Sequence, residues 1–117
     1  MTANDFRRIA LSLPEATENA HVGHPDFRVS GKIFATLGWP DDDWGMVKPS
    51  AKEQMKFFGH ESAAFAPVKG AWGRNGSTQV RLGKIDRTTL RKAIVAAWRR
   101  AATQPKTKTK SRPKILK

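Results

Sequence analysis

Positively charged side chains are the residues of this chain whose number and spacing indicate a chemistry. The sequence holds 22 Lys and Arg against 10 Asp and Glu, a formal net charge of +12. Part of this charge is concentrated in residues 104–117, which contain no acid and six cations: Lys106, Lys108, Lys110, Arg112, Lys114 and Lys117. Cations concentrated in this way attract polyanions, because binding releases the counterions that surround phosphate groups. The charge indicates a polyanionic partner without identifying it.

The basic C-terminal segment allows two interpretations. A flexible basic segment adds affinity for a phosphate backbone without reading sequence, whereas the same composition also serves as a solubilising terminus. Residues 103–117 have no core-forming side chain before Ile115, so we expect a disordered tail. The tail has no amphipathic apolar face that would insert into a membrane. We favour the polyanion-binding interpretation, because such concentrated charge binds polyanions readily.

Residues with catalytic or metal-binding potential do not form a recognisable motif. The chain has no cysteine, which excludes disulfides, thiol nucleophiles and thiolate metal sites. His21 and His24 lie three apart, but no third ligand follows at a known spacing, so we favour hydrogen-bonding or surface roles for them. Residues 41–43 lack the alternation and glycine of a calcium loop. With no phosphate loop or nucleophile elbow, we expect no enzyme, no metal and no cofactor.

Three helices are predicted from their start signals. Thr2 with Asp5, and Ser50 with Glu53, have the spacing of capping boxes, and Asp86 is a candidate N-cap. Each is followed by apolar residues three or four apart, the spacing of one buried helix face: Phe6, Ile9, Ala10 and Leu13 in the first helix, Ala51, Met55 and Phe58 in the second, and Leu90, Ala93, Ile94, Ala97 and Ala101 in the third. The last of these helices is expected to end at about Ala102.

Alternating apolar residues predict five strands, over residues 26–30, 33–39, 44–48, 65–72 and 78–82. Gly31-Lys32 and Asn75-Gly76 are predicted turns, and the polar residues 15–25 a loop. The order helix, three strands, helix, two strands, helix predicts an α+β domain in two layers, a five-stranded antiparallel sheet with the helices on one face. We expect residues 1–102 to form this domain. Without a signal-peptide core or an apolar run of about 20 residues, we also expect a soluble cytoplasmic protein.

Several stretches, in order and with consistent spacing, resemble the MmcQ/YjbR-like family. They include residues 10–16 (ALSLPEA), 27–37 (FRVSGKIFATL), 72–74 (WGR) and 97–98 (AW), and the resemblance spans about residues 6–102. It implies the α-β(3)-α-β(2)-α order derived above, an architecture shared with secretion chaperones and a double-wing DNA-binding domain. The family is commonly labelled DNA-binding on that fold analogy, and it provides no catalytic residues to transfer. Ser77 stands where relatives often have an aromatic residue, and the basic tail lies outside the family domain.

Three surfaces of the domain are candidate sites for phosphate contacts. The hairpin around Trp72 offers Lys69 and Arg74, although Trp72 itself is as readily explained as a core residue. The outward sheet face offers Arg28 and Arg81, and the last helix offers Arg91 and Arg99. The predicted nucleic-acid-binding residues are therefore Arg28, Lys69, Arg74, Arg81, Arg91 and Arg99 in the domain and Lys106, Lys108, Lys110, Arg112 and Lys114 in the tail.

Two functions remain open at this point. The first is non-catalytic DNA binding, non-specific or weakly sequence-specific, with the tail adding affinity for the phosphate backbone. The alternative is a chaperone-like protein-interaction module, whose sheet or hairpin binds a partner chain and whose folded domain has no role in DNA binding. The first weakens steeply with salt, whereas the second depends on apolar residues and survives moderate salt. The oligomeric state does not follow from the sequence.

Overall fold

Antiparallel strands in one sheet form the larger layer of the computed structural model, which describes residues 1–21, 23–38, 43–50, 52–54, 64–67 and 76–103. The strands are β1 (Thr17–His21), β2 (His24–Val29), β3 (Lys32–Leu37), β4 (Trp44–Val47), β5 (Phe65–Pro67) and β6 (Thr78–Arg81). They are ordered β1-β2-β3-β4-β6-β5, and every neighbouring pair is antiparallel. The predicted α+β class and antiparallel sheet are confirmed, with six strands instead of five.

The additional strand is β1, which lies within the segment predicted to be a loop. Residues 17–20 are all exposed, and the strand pairs with β2 through Thr17 opposite Arg28 and His21 opposite His24. An edge strand with one neighbour and two solvated faces does not need alternating apolar residues, so the hydrophobic pattern contains no signal for it. The prediction of a loop over residues 15–25 is wrong for this reason.

Two helices lie against the sheet, α1 (Ala3–Leu11) and α2 (Arg87–Thr103), and residues 52–54 are also helical. The Thr2 hydroxyl accepts from the Asp5 N–H at 3.2 Å, and the Asp5 carboxylate accepts from the Thr2 N–H at 2.8 Å. The Ser50 hydroxyl likewise accepts from the Glu53 N–H at 3.2 Å. These capping interactions confirm the predicted helix starts, because they satisfy N–H groups that have no partner within the helix.

The β2–β3 hairpin turns at Ser30 and Gly31, one residue before the predicted position. Both residues have positive φ, 54° and 76°, as a type I′ turn requires, and Lys32 already belongs to β3. The β2–β3 register then shifts between Phe27 and Arg28, which leaves Phe34 as an extra residue on β3. The bulge explains why Phe34 and Ala35 are both buried although they are consecutive.

The core lies between the sheet and the helices. Phe6 of α1 is fully buried, and its ring centre is 5.9 Å from that of Phe27. The Phe6 ring also packs against β4, because a Cβ added to Gly45 would lie 2.8 Å from Cε2 of Phe6. From α2, Leu90 and Ile94 are fully buried in the same cluster. Both helices therefore cover one sheet face, which leaves the opposite face, hereafter the outer face, away from this layer.

Several predictions fall on residues outside the described ranges. They concern the rest of the second helix beyond residue 54, the hairpin at residues 68–75 with Lys69, Trp72 and Arg74, and the tail at residues 104–117. Among the described residues, no helix combines the length and hydropathy needed to cross a bilayer.

Candidate nucleic-acid interface

The predicted contact residues that the structure describes lie on opposite layers. Arg28 is on β2 and Arg81 on β6, in the sheet layer, whereas Arg91 and Arg99 are on α2, in the helix layer. Because the core separates the two layers, a single rigid duplex does not contact both groups at once. The two groups are therefore separate candidate sites, and the surroundings of each cation determine its capacity to bind an anion.

Arg28 is already paired with a carboxylate. Its Nε donates to Oδ1 of Asp26 at 2.8 Å and its Nη2 donates to Oδ2 at 3.1 Å, a bidentate arrangement. The Asp26 side chain is completely buried, whereas that of Arg28 is 32% exposed. The hydrogen bonds to Asp26 raise the pKa of Arg28, because they stabilise the charged guanidinium. The pair is close to neutral as a unit, so Arg28 attracts phosphate weakly.

Arg81 has no carboxylate partner in the described part of the chain, but it lies over an aromatic ring. It stands opposite Trp44 in the β4–β6 register, and its guanidinium carbon is 4.9 Å from the centre of the Trp44 ring. This geometry is a cation–π contact, which orients the guanidinium without neutralising it. Arg81 is exposed and Trp44 half-buried, so the pair is accessible from the outer face.

The exposed side of α2 carries cations that have no ion-pair partner among the residues that the structure describes. Arg91, Lys92 and Arg99, hereafter the helix cations, are all exposed, and the helix contains no acid from residue 87 to residue 103. The ion pairs formed by Arg7, Arg28 and Arg87 do not involve a helix cation. At 1.5 Å per residue, the seven-residue interval between Lys92 and Arg99 places them about 10 Å apart along the axis, on nearly the same line.

The start of α2 is fixed by its predicted cap. The Asp86 Oδ1 accepts from the Thr89 N–H at 2.7 Å, and the Leu90 N–H donates to the Asp86 carbonyl oxygen at 3.0 Å. The hydrogen bond from the Thr89 N–H is the main cause that lowers the pKa of the Asp86 carboxyl, and the charge of Lys92 is a smaller one. The cap fixes the first turn of α2, and burial of Leu90, Ala93 and Ile94 leaves the helix cations on the exposed side.

The other end of α2 leads directly into the basic tail. The helix ends at Thr103, and Lys106, the first tail cation, follows three residues later in the sequence. Cations near a helix C-terminus are also favoured by the negative end of the helix dipole. In the sequence, the helix cations are therefore followed directly by the six tail cations.

The histidine pair does not complete a metal site in the described part of the chain. His21 and His24 face each other in the β1–β2 register, but no group of three or more His, Asp or Glu side chains there is placed to hold a metal ion.

Sequence reasoning named Arg28 and Arg81 but missed the residue that each contacts. Asp26 and Arg28 are two apart on a strand, and residues i and i+2 share a sheet face, so that pair carried a sequence signal. The Trp44–Arg81 contact joins residues 37 apart in sequence through the β4–β6 register, for which no local pattern exists.

Comparisons with known proteins agree with this architecture. The YjbR family model matches residues 11–100 of the chain. Among solved structures, the fold is similar to that of the Deinococcus radiodurans protein DR2400, described as containing a DUF419 domain, with a TM-score of 0.74 and 16% identity. The similarity covers 92% of this chain and 83% of that protein. A comparison with curated proteins finds no match.

Proposed function

This chain belongs to the YjbR family, and we propose that it is a non-catalytic protein that binds duplex DNA with little or no sequence preference. The interface comprises the helix cations and the basic tail that follows them. Its partner is the phosphate backbone, which Lys and Arg contact in the same way on any sequence. The proposal includes the cytoplasm as the place where the protein acts.

The observation that carries the proposal is the exposed, acid-free side of α2. Three cations that form no ion pair with any described residue lie on α2, which is packed against the core through Leu90, Ile94 and Ala97 on its other side. Because the helix backbone that carries these cations is already ordered, only their side chains lose conformational freedom when they meet phosphates. Surface cations within ion pairs would first have to give up their partners, a cost that the helix cations avoid.

The sheet face supports duplex binding less well. Its Arg28 is held by a buried carboxylate, which leaves Arg81 as the exposed cation of the described outer face that lacks an acidic partner. Affinity for duplex DNA grows with the number of phosphates neutralised, so one cation anchors a duplex poorly. The helix layer, continued by the six cations of the tail, supplies many more.

The proposal is tested by fluorescence anisotropy of a labelled duplex across a salt series, with the full chain and a chain that ends at Ala102. If the three helix cations and six tail cations all meet phosphates, the slope of log K against log salt is about −8. The truncated chain retains a slope of about −3 and binds at low salt. Duplexes of unrelated sequence give the same slopes.

Two outcomes contradict the proposal. If the truncated chain shows no binding at the lowest salt, the folded domain does not contribute, and the tail alone is the polyanion-binding element. If the full chain binds DNA but its affinity is insensitive to salt, phosphate contacts do not drive the binding. In either case a protein partner becomes the better explanation of the folded domain.

A further inference from the structure

We propose that the outer face of the sheet is a second, separate binding site, which takes unpaired bases of single-stranded nucleic acid at Trp44 and Arg81. The site comprises Trp44, Met46, Gln79 and Arg81, hereafter the outer platform. It lies on the opposite layer from the helix cations and does not depend on them. The inference therefore goes beyond the proposed binding of duplex DNA and can fail or hold independently of it.

The register of β4 and β6 places these four side chains together. Trp44 is opposite Arg81 and Met46 is opposite Gln79 in neighbouring antiparallel strands, which lie about 4.8 Å apart. Along each strand the two members are two residues apart and share a face. The intervening residues Gly45 and Val80 are buried on the core side, so the outer platform faces away from the helices.

The chemistry of the outer platform suits a base. The Trp44 ring and the Arg81 guanidinium plane are surfaces on which any nucleobase stacks, and Met46 adds a polarisable apolar surface. Neither the Gln79 amide nor the Trp44 indole N–H has a hydrogen-bond partner among the described residues, and both are partly exposed. Their donor and acceptor groups are available to the edge of a base that is not already paired.

Charge and shape favour a single strand over a duplex here. The faces of bases are covered by their neighbours in a duplex, so stacking on a protein side chain requires unpaired bases. Arg81 lacks an ion pair in the described structure and supplies one phosphate contact, whereas Arg28 is neutralised by Asp26. A single phosphate with stacked bases fits these groups better than a duplex backbone does.

The test measures binding of labelled oligothymidylate and of a labelled duplex to the full chain and to three variants. Trp44→Leu removes the stacking ring but keeps an apolar residue, and Arg81→Lys keeps the charge but removes the planar guanidinium. Trp98→Phe is the matched control, because it alters another half-exposed tryptophan, on the helix layer. Circular dichroism and urea unfolding identify any variant that has lost its fold, and such a variant is replaced by Trp44→Phe.

The expected result is selective. Trp44→Leu weakens oligothymidylate binding at least about fivefold, the lower limit for removing one stacked base, and leaves duplex affinity unchanged within about twofold. Arg81→Lys also weakens the binding of oligothymidylate, because lysine keeps the positive charge but lacks the planar group on which a base stacks. Quenching of tryptophan fluorescence by oligothymidylate is reduced in Trp44→Leu and retained in Trp98→Phe.

The inference is overturned if Trp44→Leu binds oligothymidylate as tightly as the natural chain, or if it loses duplex and single-strand affinity equally. It is also overturned if the natural chain binds the duplex but not the oligothymidylate. Failure of the proposed duplex function gives a different pattern. In that case oligothymidylate binding remains sensitive to Trp44, while the duplex does not bind to the chain that ends at Ala102.

Discussion

Replacing the helix cations tests whether α2 itself meets DNA. In the triple variant Arg91→Gln, Lys92→Gln, Arg99→Gln, three phosphate contacts are lost if all three residues bind the backbone. Each contact contributes about −0.9 to the log–log salt slope, so the slope becomes shallower by about 2.7, from about −8 to about −5.4. The three side chains are exposed and form no ion pair within the described ranges, so we expect the folded domain to keep its stability.

The slopes translate into affinities that anisotropy measures directly. Between 50 and 200 mM salt, a slope of about −8 lowers the affinity of the natural chain by nearly 10⁵-fold, whereas the triple variant loses only about 2,000-fold. In a matched variant of the tail, with Lys106→Gln, Lys108→Gln and Lys110→Gln, the salt slope is expected to become shallower by the same amount, about 2.7. Lys32→Gln, in the sheet layer at the β2–β3 hairpin, removes one cation and is expected to leave the slope unchanged.

The reasoning is refuted if the triple variant retains the natural slope while its fold is intact by circular dichroism. The helix cations would then be solvated charges without a ligand, and the tail would account for the binding. If Lys32→Gln made the salt slope shallower by about 0.9, the value of one full phosphate contact, any surface cation would contribute to binding. No particular layer would then be the interface.

Two further predictions concern stability. Gly45→Ala is expected to destabilise the fold by about 1–3 kcal/mol in urea unfolding, because the new Cβ would lie 2.8 Å from Cε2 of the buried Phe6 ring. Gly83→Ala, with no atom within 4 Å of its Cβ, is the control and is expected to change stability by less than about 0.5 kcal/mol; equal effects of the two would contradict the packing. Because the pKa of Asp86 is lowered in the folded state, its contribution to the stability of the fold is present above the unfolded pKa of about 3.9. This contribution is lost as the pH falls through the lower folded pKa. Asp86→Asn is expected to keep the cap but to reduce the loss of stability below about pH 4, and an unchanged acid-unfolding curve would contradict this assignment.

Local sequence rules predicted the parts of this fold that are themselves local. The caps at Thr2, Ser50 and Asp86 each depend on a side chain and an N–H group three residues later, and all three form as expected. The edge strand β1 was missed because solvated strands carry no hydrophobic alternation, and the turn at Ser30 was misplaced by one residue. The bulge that buries both Phe34 and Ala35 depends on pairing with β2, so the sequence of β3 alone does not predict it.

The candidate interface was predictable in its composition but not in its partners. Counting cations identified Arg28 and Arg91 equally, although Asp26, two residues before Arg28 on the same strand, was a local signal of an ion pair. The structure shows that Arg28 lies against this buried carboxylate, whereas Arg91 forms no ion pair within the described part of the chain. The electrostatic value of a surface cation depends on its neighbours in space. Those neighbours follow from register and helix packing, which require the assembled sheet.

The division of charge between the family domain and the tail determines how much of any DNA affinity would come from the YjbR domain. The family match covers residues 11–100 and so includes Arg91, Lys92 and Arg99, but the six tail cations lie beyond it. If both parts bind the same duplex, the domain provides a fixed orientation and the tail provides most of the salt-dependent affinity. An affinity that depends on the tail would then be a property of this chain, whereas the binding that remains after truncation at Ala102 would be the contribution of the YjbR domain itself.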